Sequence, residues 1–380
     1  MNICVIGGGN MGHYITAIVG KKANNVRLLT REHQIWSKQI TAFDDGKVIA
    51  RGDIDVCTDN AEKALEDANV VLITWPTNVL ANRLHEIEPF LVKGMYIGFI
   101  PGFGGKEFIC NQLRKKGCIL FGTQRVISST KILEYGLNVE CINNRPNIKI
   151  AAIQSEYTND CCEIMKSLFD MECVKLPNYL TISLTPSNPI LHTARVYSLF
   201  RDYQKGQHYD EHLPFYRNWS DQASQILLSM NDELQSFCHS IPEMDLTGVT
   251  SLDKHYEIGK FYRSKERNEL MTMKMKKLKF LKDAAPMKKN EDGYSPDYSS
   301  RYFQEDFSYG LTIIKGFCEV TKIQTPQIDI VLQWYCGLMG LEYFTMFGYN
   351  GKDLAKLPIP VNMGLKNKQD LIDFYTSRRY

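Results

Sequence analysis

The chain opens on a short apolar run, Asn2-Ile3-Cys4-Val5-Ile6, continues Gly7-Gly8-Gly9-Asn10-Met11-Gly12, and enters a helix-compatible stretch from Tyr14 to Val19. No other feature constrains the fold as tightly. A Gly-x-Gly-x-x-Gly turn between a strand and a helix is the phosphate-binding turn of a dinucleotide-binding unit. Gly7 makes the tight turn, Gly9 lets backbone approach a pyrophosphate, and Gly12 lets the helix pack closely on the strand. The start of that helix, Asn10 and Met11 included, presents backbone N–H groups to the phosphate charge. A nucleotide cofactor is therefore expected on Gly7, Gly9, Asn10, Met11 and Gly12. A purely structural glycine turn is the alternative.

The 380 residues exceed what one compact core accommodates, so two domains are expected. A net charge of +2 gives no case for a nucleic-acid or acidic-membrane partner, which leaves small molecules. No uninterrupted apolar run reaches the ~20 residues needed to span a bilayer. The chain starts directly in a cofactor-type strand, without the pattern of a signal peptide. Its 11 cysteines are odd in number and scattered, with no C-x-x-C pair and no metal-ligand spacing. They read as reduced thiols of a cytoplasmic protein, and no metal site is expected.

Apolar runs at Ile3–Ile6, Val26–Leu29, Asp53–Cys57, Val70–Thr74, Met95–Ile100 and Ile119–Gly122 alternate with helix-like stretches. That alternation predicts an α/β Rossmann-type domain with a mostly parallel sheet. Ile148–Ala152 and Cys173–Leu176, around a helix near Asp160–Phe169, extend it. From Pro189 the spacing becomes helical: Ile190, Leu191, Ala194, then Ala223, Ile226, Leu227, Met230, Leu234 and Phe237. We therefore expect a dinucleotide-binding domain over 1–180 and an all-α substrate domain over 181–380. The Pro- and charge-rich segment Asp283–Ser300 reads as a long loop, either a lid or a surface insertion. The lysines before it (Lys274, Lys276, Lys277, Lys279, Lys282) read as a solvated helix face.

In this fold an acid at the end of the second strand bonds a ribose 2′-hydroxyl, whereas an Arg there accommodates a 2′-phosphate. Here Val26-Arg27-Leu28-Leu29 runs into Thr30-Arg31-Glu32. Thr30 takes the acid's position, and the Arg31 guanidinium is suited to pairing a phosphate bidentately. NADP is the expected cofactor. NAD is the alternative, because a one-residue shift of the strand end would bring Glu32 to the ribose.

Several further segments, taken in order, resemble the NAD/NADP octopine/nopaline dehydrogenase family, the opine dehydrogenases. They are Trp75-Pro76, Pro101-Gly102-Phe103-Gly104-Gly105-Lys106-Glu107-Phe108, Asn188-Pro189-Ile190-Leu191-His192, Phe215-Tyr216, Asp232-Glu233, the run Arg301-Tyr302-Phe303-Gln304-Glu305-Asp306 continuing to Leu311, and Thr325-Pro326-Gln327-Ile328-Asp329. The resemblance covers nearly the whole chain. It departs from the family at Thr77-Asn78-Val79-Leu80 and is loose over Gln124–Leu137, both of which could line the substrate side.

The resemblance implies reductive joining of an amino acid's amine to a 2-oxo acid such as pyruvate, giving a secondary-amine dicarboxylate. It also implies an active site in a cleft between the domains and a cofactor contact at Trp75-Pro76 on the nicotinamide side. His192 matches the family's proton donor and acceptor, Asp306 the group that orients it, and Arg301 the cation for the oxo acid's carboxylate. Arg301 and Asp306 are five residues apart and would not share a face of an α-helix. Asn188 reads as the cap of a helix starting at Pro189. The oligomeric state is expected to be monomer or homodimer. Alternatives are an opine-metallophore dehydrogenase acting on a larger amine, a ketopantoate- or glycerol-3-phosphate-type reductase, and a catalytically silent NADP sensor.

Overall fold

The computed structural model describes residues 1–23, 25–259, 264–278 and 283–376. In chain order the strands of the first half are β1 (Asn2–Ile6), β2 (Asn25–Leu29), β3 (Gln39–Asp44), β4 (Lys47–Asp53), β5 (Val56–Thr58), β6 (Val70–Ile73), β7 (Tyr96–Phe99), β8 (Ile119–Thr123), β9 (Ser128–Glu134), β10 (Asn138–Asn144), β11 (Asn147–Ala152) and β12 (Glu172–Lys175). The helices used below are α1 (Asn10–Val19), α2 (Thr77–Ile87) and α3 (Thr158–Phe169).

Eight strands form one sheet in the order β12-β11-β8-β7-β6-β1-β2-β5, parallel except where β11 meets β8. The chain winds away from β1 in opposite directions toward β2 and β6, so the switch point lies at β1. Ligands of open α/β sheets bind at such a point, beyond the carboxyl ends of the strands. The register aligns those ends: Ile6 pairs with Leu29 on one side and with Ile73 on the other. Residues 7–9, 30–32 and 74–76 therefore emerge side by side. The apolar runs of β1, β2 and β6 pack with α1 and α3 into one buried core that includes Val5, Ile15, Leu28, Leu72 and Met165.

A second sheet, β4-β3-β10-β9, packs on α1 and was not expected from the sequence. Gly52 of β4 lies so close to α1 that a Cβ there would stand 2.4 Å from the Ala17 carbonyl oxygen. The single strand expected at Asp53–Cys57 is instead two. The chain leaves the small sheet at Asp53 and joins the edge of the large one at Val56, with the Ile54 N–H bonded to the Lys38 carbonyl between them.

By contact density, Met1–Ser183 together with Asp373–Tyr380 make one unit, and Leu184–Ile372 the other. The second unit is helical: α4 (Thr193–Phe200), α5 (Asp221–Ser240), α6 (Ser264–Lys276), α7 (Thr312–Val320) and α8 (Pro326–Met339); α9 (Lys368–Thr376), which ends the described chain, has residues in both units. In α5 the residues Ala223, Ile226, Leu227, Met230, Leu234 and Phe237 are buried, as their helical spacing requires. Asp232 pairs with Arg267, and Glu233 accepts the Gln327 and Ile328 N–H groups at 2.7 and 3.0 Å, satisfying the start of α8.

The expected loop at Asp283–Ser300 contains a β-hairpin, β13 (Met287–Asn290) with β14 (Gly293–Pro296), tied to Tyr209 by a bridge from Tyr294. Lys274 and Lys276 lie on α6, and Lys279 and Lys282 fall outside the described residues. All eleven cysteines carry free thiols. No described helix is long and apolar enough to cross a membrane.

Candidate active site

The three motif glycines answer to three different requirements. Gly7 has φ +118, and a Cβ there would stand 2.4 Å from Thr74 Oγ1. A Cβ at Gly12 would stand 1.8 Å from the Gly7 carbonyl oxygen, so the helix could not sit where it does. Gly9 is different: its backbone is ordinarily extended (φ −84, ψ −171), and nothing lies within 4 Å of its Cβ position. The open space would let a pyrophosphate approach the backbone there, the role expected of the middle glycine.

Gly9 caps α1 without a side-chain hydrogen bond, and the helix has no acid in its first turn. Its first internal bond runs from the His13 N–H to the Gly9 carbonyl, so the Asn10, Met11 and Gly12 N–H groups have no acceptor within the helix. These donors and the positive end of the helix dipole suit a pyrophosphate. The side chains of Asn10 and Met11 face other tasks. Asn10 Oδ1 accepts the Ile132 N–H at 2.9 Å, and Met11 packs on the core.

Beyond this turn lies a cavity of about 370 Å³ lined by Gly7, Gly8, Gly9, Thr30, Arg31, Trp75 and Pro76. Leu29, Glu32, Asp59, Thr74, Val79, Arg83 and Tyr135 complete its wall. Thr30 is buried and Arg31 exposed. The lining suits a nucleotide: backbone N–H donors at one end, apolar surface from Val79 and Pro76, and the charged side chains of Arg31, Glu32 and Asp59 on the wall. Sequence reasoning missed Asp59, Arg83 and Tyr135. Asp59 enters because β5 pairs with β2, Tyr135 because it lies between β9 and β10, and Arg83 because α2 folds over the strand ends.

Lys106 of the Pro-Gly-Phe-Gly-Gly-Lys segment is buried, and its Nζ donates to the Trp75 and Pro101 carbonyls at 3.0 and 2.9 Å. It ties that loop to the cavity wall. His13 performs a similar task on the other side. Its Nε2 accepts the Gly136 N–H at 2.7 Å, so Nδ1 carries the proton and donates to the Gly9 carbonyl at 3.0 Å. Burial holds its pKa below the usual histidine value, which keeps the ring neutral as this arrangement requires.

In the helical unit, His192 ends a π-helical turn, Ser187–His192, in which the Leu191 N–H reaches the Pro186 carbonyl five residues back. Asn188 lies inside this turn and does not cap it, because the turn starts at Ser187 after Pro186. A second π-helical segment, Tyr302–Leu311, has Arg301 at its head, and its last N–H, that of Thr312, reaches Phe307. Hydrogen bonds in such a helix join residues five apart, and its wider turn brings those residues much nearer one face than an α-helix does. Arg301 and Asp306 thus come to the same side, which an α-helix would not allow.

Asp306 is 1% exposed, and its Oδ2 lies 2.8 Å from His192 Nδ1. A buried ionised carboxylate only accepts, so Nδ1 carries the proton and Nε2 is left with a free lone pair. The His192 side chain keeps 13% exposure, and Nε2 meets no polar partner among the described residues. Tyr302 and Phe215 pack around the ring with centroids 4.8 and 5.7 Å away. Arg195, buried with its pKa lowered to about 10 by burial, donates to the Phe215, Pro214 and Asn218 carbonyls and so fixes the segment bearing Phe215. Arg301 is exposed, and its guanidinium forms no hydrogen bond or ion pair with a described residue. Among the described residues no His, Cys, Asp and Glu side chains cluster in a way that could hold a metal ion.

A family model described as "NAD/NADP octopine/nopaline dehydrogenase, alpha-helical domain" matches residues 175–339, and one described as "NAD-dependent glycerol-3-phosphate dehydrogenase N-terminus" matches residues 2–107. The chain is 25% identical to opine dehydrogenase of Haliotis discus hannai, over 98% of both chains. It is also 25% identical to tauropine dehydrogenase of Arabella iricolor, over 97% of this chain and 99% of that one. The structure of an octopine dehydrogenase with NADH and L-arginine superposes with a TM-score of 0.84 at 21% identity, covering 100% of this chain and 99% of the other.

Proposed function

We propose that this chain is an opine dehydrogenase of the NAD/NADP octopine/nopaline dehydrogenase family, whose helical-domain model it matches. It reductively condenses an amino acid's amine with a 2-oxo acid such as pyruvate, giving a secondary-amine dicarboxylate. The observation that carries the reading is the 2.8 Å contact between His192 Nδ1 and the buried Asp306, with Nε2 left open. Simple cofactor sensing needs no such pair.

Arg301 receives the oxo acid's carboxylate through two parallel N–H donors. Attack of the amine on the carbonyl gives a carbinolamine, and its oxygen leaves as water once protonated. His192, charged at Nε2, donates that proton, while Asp306 stabilises the imidazolium and holds the ring in one orientation. Gly7, Gly9 and the N–H groups of Asn10, Met11 and Gly12 hold the dinucleotide's phosphates, with Thr30, Arg31, Trp75 and Pro76 along its length. The reduced nicotinamide, when bound, would supply the hydride that converts the iminium left by loss of water into the secondary amine.

NADPH is the preferred form, supported by the exposed Arg31 on the cavity wall. Glu32 and Asp59 on the same wall suit a ribose diol, so NADH is accepted as well. Eleven free thiols suit a reducing compartment, and we take the enzyme to work in the cytoplasm as a monomer or homodimer. The test is NADPH and NADH oxidation with a panel of 2-oxo acids, with and without each of a panel of amino acids. Amine-dependent oxidation, faster with NADPH and lost in His192→Ala, is the expected result. Oxidation that ignores the amine would make the protein a 2-oxo-acid reductase. NADPH binding without turnover on any pair would make it a sensor.

A further inference from the structure

Arg83 is the charged group on the cofactor cavity whose presence the glycine turn and the strand ends do not explain. It lies in α2, which starts directly after Trp75-Pro76, and it lines the same cavity as Thr30 and Arg31. Its guanidinium carbon stands 4.8 Å from the Trp75 ring centroid, a cation–π arrangement that fixes its plane. Glu86 grips it by one edge, with Nε to Oε1 at 2.9 Å and Nη2 to Oε2 at 2.6 Å. The remaining edge, including Nη1, has no partner among the described residues, and the side chain keeps 27% exposure.

A cavity that receives adenosine alone has little use for two guanidinium groups. The pyrophosphate is served by the start of α1, and a ribose diol or an adenine ring carries no charge. Arg31 and Arg83 come from different elements, yet both face this cavity, and Glu86 feels both. Its carboxyl is held below the usual range chiefly by the Arg83 hydrogen bonds, with a smaller contribution from the Arg31 charge. Two cations near one carboxylate, with one guanidinium edge open, form a site ready for a dianion.

We propose that Arg83 is a second determinant of cofactor specificity, which joins Arg31 around the 2′-phosphate of the adenosine ribose while Glu86 and Trp75 hold its open edge toward the cavity, so that Trp75 serves the adenosine side and not the nicotinamide side that the resemblance implies. This rests on the NADP preference proposed above, and it assigns Glu86 as a positioning residue. The Glu86 carboxylate also opposes the incoming dianion, so it limits how tightly the phosphate is held.

The test is calorimetric binding of 2′,5′-ADP and 5′-AMP to the whole protein, with circular dichroism of each variant to verify folding. Wild type should bind 2′,5′-ADP more tightly than 5′-AMP. Arg83→Leu should weaken 2′,5′-ADP roughly 10- to 100-fold, the worth of a charge-assisted hydrogen bond, and leave 5′-AMP within about twofold. Arg83→Lys, which keeps the charge and loses the fork, should fall between, and Glu86→Gln should tighten 2′,5′-ADP alone. Equal losses of both ligands in Arg83→Leu would make Arg83 a platform for the adenine ring and overturn the proposal. So would a loss of phosphate preference in Arg31→Leu with none in either Arg83 variant, an outcome that leaves the NADP reading intact. A wild type without preference for 2′,5′-ADP would overturn both.

Discussion

Gly9→Ala separates cofactor binding from folding more cleanly than any other change in the chain. The backbone at Gly9 (φ −84, ψ −171) is one that alanine adopts without strain, and its Cβ would meet no protein atom within 4 Å. Replacing glycine at a compatible position restricts the unfolded chain and stabilises by about 0.4–1 kcal/mol, which offsets the similar cost of alanine at a helix N-cap. Tm should therefore stay within about 2 °C of wild type. The added methyl occupies the open space at the mouth of the cavity and keeps the pyrophosphate away from the Asn10, Met11 and Gly12 N–H groups. Loss of two charge-assisted hydrogen bonds at about 1.5–3 kcal/mol each costs about 3–6 kcal/mol, or roughly 10²- to 10⁴-fold in affinity. Thermal denaturation and an NADPH fluorescence titration measure the two effects independently. Gly12→Ala is the control, because its Cβ would stand 1.8 Å from the Gly7 oxygen and the fold itself must give. Its Tm should drop. Unchanged NADPH affinity in Gly9→Ala would refute the reasoning, since the open space would then not be where the cofactor lies.

Asp306→Asn should lower kcat by about 10²- to 10⁴-fold with little change in NADPH affinity, because the amide cannot stabilise a charged His192; steady-state kinetics beside a binding titration checks this. Arg301→Lys removes the fork but keeps the charge, and KM for the 2-oxo acid should rise roughly 10- to 100-fold while the amine's KM changes less. Burial pushes the Glu107 carboxyl, held by Ser183 and Tyr375, up from 4.5 to about 7. The folded state therefore keeps a proton that the unfolded chain has lost. The corresponding stability is full below pH 4.5 and disappears as pH rises to 7, about 3 kcal/mol at about 1.4 kcal/mol per pH unit. Denaturant unfolding of wild type and Glu107→Gln from pH 4.5 to 8 should show their difference shifting by that amount, and a constant difference would contradict the assignment.

Much of the nucleotide-binding architecture was legible because its signals are local. Buried parallel strands are short apolar runs, and Gly7, Gly9 and Gly12 mark the turn whatever the rest of the chain does. The small sheet was not legible, because its strands are mixed: Ile40 and Ala42 face inward, whereas Lys47, Arg51 and Asp53 face out. One signal was there to be read, the Asp45-Gly46 turn with both residues at positive φ, a hairpin signature. In Met287–Asn290 two lysines and an asparagine hide a strand that, among the described residues, pairs with its own neighbour β14. The i and i+5 relation of Arg301 and Asp306 contradicts α-helical spacing and becomes intelligible only with a π-helical repeat. Arg83 and Asp59 could not be assigned from sequence, since their place on the cavity depends on how α2 and β5 are set against the ends of β1 and β2.

The central claim is that one active site joins carbon to nitrogen and reduces the product. Its most direct test is a single turnover with NADPH carrying deuterium at C4, on the face that transfers, plus a 2-oxo acid and an amino acid, read by mass spectrometry. The expected product has the mass of the two substrates joined less water, plus one deuteride and one proton, and none of it forms with His192→Ala. Deuterium appearing only in a 2-hydroxy acid, with the amino acid unchanged, would contradict it.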